Sequence, residues 1–399
     1  MLTMGHGYLV SAVVDGCFAL FALAPVRRPW PLSGAAYYFG LVFNELPFVA
    51  CWLIAASALP RAVGGDLNTP AEWVAFGVAM LAALGFVVVA MRALPARGIV
   101  LEALAEGLGA QWRRSLPPEA AAALRRRTPW ARIALWPFAF LERGRSVERV
   151  AGLRYGPAGR WNTLDLYRRR GGTRDAPVFV HLHGGRFVGG RKNWEGLPLL
   201  HRLARQGWVC VSADYRLSPY ATWPDHLVDV KRVLAWVRQH GAEFGADPST
   251  VFAGGSSAGG HLAAFAGLTP NDPAYQPGFE TADTSVTAVV SLYGWYGNVN
   301  TGERVPSSPH GALREDAPPF LVVHGDKDPL VHVDGARRFV RRLREVSRGP
   351  VVYAELPGAH HAFDLFHSIR NEAVVDGVEA FAAWVRATST APTDRPRTE

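Results

Sequence analysis

Nineteen consecutive residues, Trp73–Met91, carry no charge, and no other stretch restricts the folding of this chain so tightly. An apolar run of ~20 residues is long enough to cross a bilayer as a helix, which satisfies every backbone N–H and C=O without water. Two more apolar segments precede it, Tyr8–Ala24 and Gly34–Leu59. The first holds Asp15 near its middle. The second contains Asn44, Glu45 and Pro47, which points to a kinked or bundle-facing helix, because a carboxylate facing lipid is costly. Neither segment contains Lys or Arg, so both acids are expected to be protonated or turned inward, holding helices together. The residues before Tyr8 also lack Lys and Arg, and two spans follow, so the first segment reads as a retained helix and not a cleaved signal. Residues 1–95 are thus expected to be a transmembrane region of about three helices.

Charge placement then predicts orientation. The net charge is +8, yet residues 1–95 balance Arg27, Arg28, Arg61 and Arg92 against Asp15, Glu45, Asp66 and Glu72. Residues 96–150 carry ten Arg against five Glu. Lys and Arg in short loops stay on the cytoplasmic side. The N-terminus is therefore expected outside, the Arg27-Arg28 loop inside, the Arg61 loop outside, and everything after Met91 in the cytoplasm: a multi-pass membrane protein. If the Asp15 segment fails to span, the same side is expected for the remainder. Hydrophobic residues make up 49% and charged residues 19%, which excludes a disordered chain. Cys17, Cys51 and Cys210 have no paired spacing, so neither a disulfide framework nor a zinc site is expected.

Residues 96–149 read as amphipathic, Arg-rich linker or cap helices. Leu101, Leu104, Leu108 and Trp112 share one helical stripe, with Glu102, Glu106, Gln111 and Arg113 elsewhere. Thr128-Pro129 marks a helix start. Trp130, Ile133, Trp136 and Phe140 lie between Arg125-Arg126-Arg127 and Arg143/Arg145. Aromatics flanked by arginine suit a membrane surface, and their position directly after a span sets nucleic acid aside. This stretch is expected to touch membrane lipid and to roof the active site.

From about residue 150 to 388, strand-like runs alternate with helical patterns, which implies a mostly parallel eight-stranded sheet with helices on both faces. A disordered tail, 389–399, is expected to follow. Gly255-Ser256-Ser257-Ala258-Gly259 sits between the strand Val251-Phe252-Ala253 and the helix opening at Gly260-His261-Leu262, the setting that a G-x-S-x-G nucleophile turn requires. Ser257 is the nucleophile candidate; centring on Ser256 would lose the second glycine. His183-Gly184-Gly185 closes the strand Val178–Leu182, where backbone amides of Gly184, Gly185 and Arg186, with that of Ala258, are candidate oxyanion donors. A base and an orienting acid should follow in chain order. The loop from His324 to Val331 offers Asp326 and Asp328, and the loop from Pro357 to Phe363 offers His360 and His361, both past strand ends where an open α/β sheet places its site. His181, His324 and His332 lack metal-ligand spacing and are expected as core or rim histidines.

His183-Gly184-Gly185, Asp214-Tyr215-Arg216-Leu217-Ser218-Pro219, Gly255–Gly260, Asp328-Pro329-Leu330 and His361-Ala362-Phe363 together resemble the hormone-sensitive-lipase-like esterases of the α/β-hydrolase superfamily, over about 150–388. Leu268–Pro273 and the short stretch before Asp316-Ala317-Pro318-Pro319 look most like actinobacterial carboxylesterases of that group. The resemblance implies Asp328 as the acid and His361 as the base, with Arg216 and Asp229 as structural ion-pair residues. Two positions depart from the family pattern: Arg186 stands for a third glycine, and Ser256 for a residue that is often acidic. The chain is accordingly expected to be a membrane-anchored serine carboxylesterase or lipase with an ester or lipid substrate and no cofactor. The alternatives are an acyltransferase using the same acyl-enzyme, or a non-catalytic membrane receptor or scaffold with a hydrolase-like module.

Overall fold

The protein is described by a computed structural model over residues 2–125, 146–299 and 306–389. Four helices come first: α1 (Leu2–Leu23), α2 (Trp30–Glu45), α3 (Pro47–Gly64) and α4 (Pro70–Ala93). The second apolar segment, expected as a single kinked helix, is thus two, and the region holds four helices where about three were expected. Leu46, at φ −122 and ψ 54, leaves helical geometry, and Pro47, with no N–H to donate, begins a new helix. The start of α4 is fixed by a capping box, Thr69 with Glu72, and by Pro70 in its first turn.

α1 and α4 lie side by side and run in the same direction. Gly85 lets the helices approach so closely that a Cβ there would meet Leu23 at 3.1 Å and Ala19 at 3.2 Å, and buried Ala75, Ala79 and Ala82 continue that seam. Small residues are what close helix packing in an apolar medium needs. α3 runs the opposite way, bringing the Arg61 guanidinium 4.5 Å over the Tyr8 ring. Val10, Leu20, Trp52, Leu53, Leu59, Leu81 and Leu84 point outward, more than half exposed. α3 and the helical run from Pro70 to Leu108 are long and apolar enough to cross a membrane.

The rest is built on one sheet of eight strands, β1 (Val147–Arg154), β2 (Thr163–Arg169), β3 (Ala176–Leu182), β4 (Val209–Ala213), β5 (Ala246–Ser256), β6 (Ala288–Leu292), β7 (Phe320–Gly325) and β8 (Val351–Leu356). Their order is β1-β2-β4-β3-β5-β6-β7-β8. β2 is antiparallel to β1 and to β4, and every other pairing is parallel. Interior strands buried on both faces read as unbroken apolar runs, and β3 is buried at every position. Alternate residues feed two cores. Val178, Val180 and Leu182 meet α8 (Asp225–His240), α9 (Ala258–Leu268) and α10 (Val333–Val346) on one face. Phe179, Leu321 and Val323 meet α5 (Ala96–Leu108), α7 (Leu197–Arg205) and α11 (Ile369–Ser389) on the other.

α5 spends its apolar stripe on that second core, with Leu104 and Trp112 fully buried. A Cβ on Gly107 would meet Val352 at 2.8 Å, and Arg97 pairs with Asp376 of α11 at 2.9 Å. α6 (Pro118–Arg125) also packs beside α11. The described helices of this stretch, within 96–125, therefore cover the β8 side of the sheet and do not roof the site, while 147–149 already belong to β1. The aromatic stretch from Arg126 to Arg145 lies outside the described residues. So does 390–399, while Ser389, expected to open the tail, closes α11.

Candidate active site

The turn from β5 into α9 holds Ser257 at φ 55 and ψ −115, a strained conformation that aims Oγ off the sheet edge. Only glycine fits on either side. A Cβ on Gly255 would meet the Gly259 carbonyl at 2.5 Å, and one on Gly259 would meet the Leu182 oxygen at 1.9 Å. The Ser257 N–H donates to Leu292 O at 2.9 Å, pinning the turn to β6. From the loop after β8, His361 Nε2 lies 2.9 Å from Ser257 Oγ, and its Nδ1 lies 2.6 Å from Asp328 Oδ2. Asp328 Oδ1 accepts the N–H groups of Leu330 and Val331, each at 2.8 Å, which fixes the carboxylate plane. Burial alone would raise the Asp328 pKa, but His361 and His324 hold it well below the usual carboxylate range.

The rival residues in both loops do other work. Asp326 Oδ1 accepts the Gly358 N–H at 2.6 Å, tying the two loops together. His360 is buried beneath α2, its N–H donating to Asn44 Oδ1 at 3.1 Å, and burial pushes its pKa down to about 3, so its ring is neutral. His324 Nε2 donates to Val331 O at 2.8 Å. Arg216 pairs with Asp229 at 2.9 Å. Among the described residues no His, Cys, Asp and Glu grouping suits a metal ion.

The loop after β3 carries Gly185 at φ 115 and Arg186 at φ 57. Arg186 thus keeps the left-handed backbone that a third glycine would take, with its side chain exposed. Tyr215 OH donates to His183 O at 2.8 Å and stacks on the His183 ring at 4.4 Å, bracing the loop. Of the four amides proposed from sequence, that of Gly184 is already engaged: it donates to Glu195 Oε2. Gly185, Arg186 and Ala258, whose N–H opens α9, remain as candidate donors.

Four features near the reacting atoms have no motif to announce them. Glu195 is one. Asp364 is another, fully buried and accepting from Ser256 Oγ and from Tyr293 OH, whose ring meets His361 edge-on at 4.5 Å. Ser256 thus meets a buried acid that comes from the loop holding His361. Burial pushes the carboxyls of Glu195 and Asp364 up, Glu195 to about 8. Asp364 already takes two O–H donors, so it is the ionised member and Glu195 holds the proton. The third feature is Tyr37 of α2, edge-on to His361 at 5.9 Å. The fourth is the corner at the end of α2. Asn44 Nδ2 donates to Gly358 O at 2.9 Å, and Glu45 pairs with Arg370 at 3.2 Å and accepts from Ser368 at 2.6 Å. Glu45, expected to hold helices to one another, instead holds them to the sheet domain. Residues 37, 41, 44 and 45 recur at helical spacing, so one face of α2 seats on the loops of the base, leaving Ser257 and His361 each 6% exposed.

Strand order, elbow and loops define an α/β-hydrolase. The native esterase 2 of the Planctomycetes species Thermogutta terrifontis superposes with a TM-score of 0.52 at 25% identity, covering 63% of this chain and 96% of that one. The BD-FAE family model matches residues 164–304. The chain is 39% identical over 417 residues to LipM of Mycobacterium tuberculosis, named a probable carboxylic ester hydrolase, covering 96% of this chain and 94% of that protein. Esterase LipQ of the same organism is 41% identical over 59% of this chain and 62% of its own. This chain belongs to the hormone-sensitive-lipase-like carboxylesterases, and it is a carboxylic ester hydrolase.

Proposed function

We propose that this enzyme cleaves esters through an acyl-enzyme on Ser257 while its N-terminal helices hold it in a membrane. His361 Nε2 takes the Oγ proton as Oγ attacks the ester carbonyl, and Asp328 keeps the imidazole in the tautomer that can accept it and stabilises the imidazolium. The oxyanion falls to the amides of Gly185, Arg186 and Ala258. The imidazolium then protonates the departing alcohol. Water, deprotonated by the same imidazole, releases the acid. The observation that carries this reading is the unbroken chain Ser257 Oγ to His361 to Asp328, at 2.9 and 2.6 Å. A fluorophosphonate probe should label the full chain at one site, lost in Ser257→Ala and kept in Ser256→Ala; labelling of the Ser257 variant would overturn it.

Membrane placement is supported by the run of the helices. α1 ends, α3 begins and α4 ends beside the sheet domain, so α1, α3 and α4 can cross together while α2 lies at the surface. Arg27, Arg28 and Arg92 then gather on the domain's side, and Arg61, Asp66 and Glu72 on the other, which by the positive-inside rule puts the catalytic domain in the cytoplasm. A reporter fused after Glu399 that works only in the cytoplasm should be active; activity of a periplasm-only reporter there would refute the orientation.

A further inference from the structure

Where the connection from α1 to α2 crosses the sheet domain, it forms one wall of an open cleft of about 840 Å³. Arg27, Arg28 and Pro29 line that wall, and His332, Asp334 and Arg338 line the opposite one. Arg27 donates to the backbone oxygen of Asp326, which fixes the connection on the loop between β7 and α10. Asp334, the carboxylate here, is already paired with Arg337 at 2.9 Å. No ion pair is found for Arg28 or Arg338 among the described residues. Three guanidinium groups thus line a cleft that holds a single carboxylate, itself bonded to Arg337, which also pairs with Glu355, and arginine forks suit phosphate oxygens. α2, which begins directly after Pro29, carries exposed apolar side chains: Leu32, Tyr38 and Phe39 stand 50%, 74% and 48% exposed.

We propose that this cleft binds the phosphate of an anionic phospholipid from the leaflet in which the helices sit, with the acyl chains lying along the exposed face of α2. Charge complementarity selects the headgroup, and continuity with the apolar helices selects a lipid over a free anion. Basic pockets at the cytoplasmic end of transmembrane helices hold lipid headgroups by these forces. The proposal rests on the membrane placement given above and not on the ester chemistry. The cleft shares no lining residue with the Ser257 site, although the loop to which Arg27 is bonded also carries Asp328.

The test uses the full chain in neutral detergent micelles, with phosphatidylglycerol or phosphatidylcholine added and retained lipid counted by native mass spectrometry. The chain should retain phosphatidylglycerol at least tenfold over phosphatidylcholine. Arg28→Gln with Arg338→Gln should remove that preference at unchanged melting temperature. Millimolar inorganic phosphate should leave retention in place. Equal retention of the two lipids, or undiminished preference in the double variant, would overturn the proposal. Full displacement by phosphate would also overturn it, in favour of a free-anion site. Failure of the membrane reading shows separately, in the reporter fused after Glu399.

Discussion

Glu195 provides the sharpest quantitative test of the site. A Cβ on Gly184 would lie 2.9 Å from Glu195 Oε2 and 3.0 Å from Ser257 Cβ, so the carboxyl oxygen stands within about 6 Å of Ser257 Cβ. Protonated, it does no more than accept the Gly184 N–H. Ionised, it sets a negative charge behind the oxyanion loop. At ~6 Å and an effective dielectric of about 20, that charge opposes the oxyanion by about 3 kcal/mol, roughly a hundredfold in rate. With its pKa pushed up to about 8 by burial and by Asp364, the group is neutral at pH 7 and ionises as the pH rises past 8. The kcat for a short aryl ester should therefore fall by ten- to a hundredfold between about pH 7.5 and 9.5. Glu195→Gln, whose amide oxygen can accept the same N–H and never ionises, should hold a plateau over that range. A flat alkaline profile in the parent, or an identical fall in Glu195→Gln, would refute the assignment.

The remaining predictions concern named pairs. Ser257→Ala should lower kcat by on the order of 10⁵–10⁶. Ser256→Ala, which removes one donor from Asp364, should cost about tenfold, as expected for one lost hydrogen bond to a charged group. Asp328→Asn should cost about 10⁴ in kcat. Asp326→Asn should show mainly in a lower melting temperature, by the ~1–2 kcal/mol of a weakened loop tie. Glu45→Ala leaves the Arg370 guanidinium buried without its counterion and should destabilise by about 3–5 kcal/mol. Glu45→Leu with Arg370→Met should recover much of that in detergent, and if the single and double variants melt together the pair is not what seats α2.

The sheet was legible because its signals are local. Apolar runs of strand length, glycines that bar every side chain at the elbow, and loops past strand ends are each written in a few adjacent residues. Ser257 could be named for the same reason, whereas each later loop offers two candidates and only the family resemblance singles out Asp328 and His361; the structure brings these three within hydrogen-bond reach. Glu195 and Asp364 could not. They lie far apart in sequence and in no motif, and each acquires meaning only from the backbone amide or hydroxyl that folding sets against it. The stripe Leu101, Leu104, Leu108 and Trp112 marks an amphipathic helix, yet such spacing states that a face is buried and not against what. β8 and α11 are the partners that sequence cannot supply.

Glu45 illustrates the same gap with a physical consequence. A carboxylate in an apolar run prompts a search for a counterion in neighbouring apolar runs, and none of them contains Lys or Arg. Its partner is Arg370, which begins the second position of the last helix, 325 residues away. The charge in the helices and the charge in the sheet domain are each prohibitively buried alone, at 4% and 1% exposure, and become tolerable only together. The helical region and the catalytic domain are therefore bound to one another by a contact that neither can leave without exposing or stranding a charge. Because Arg370 also donates to Pro357 O, and the neighbouring Asn44 bonds Gly358 O and the His360 N–H, seating α2 and positioning the loop of His361 go together. A loosened α2 should then be felt at Ser257 before it is felt in the sheet.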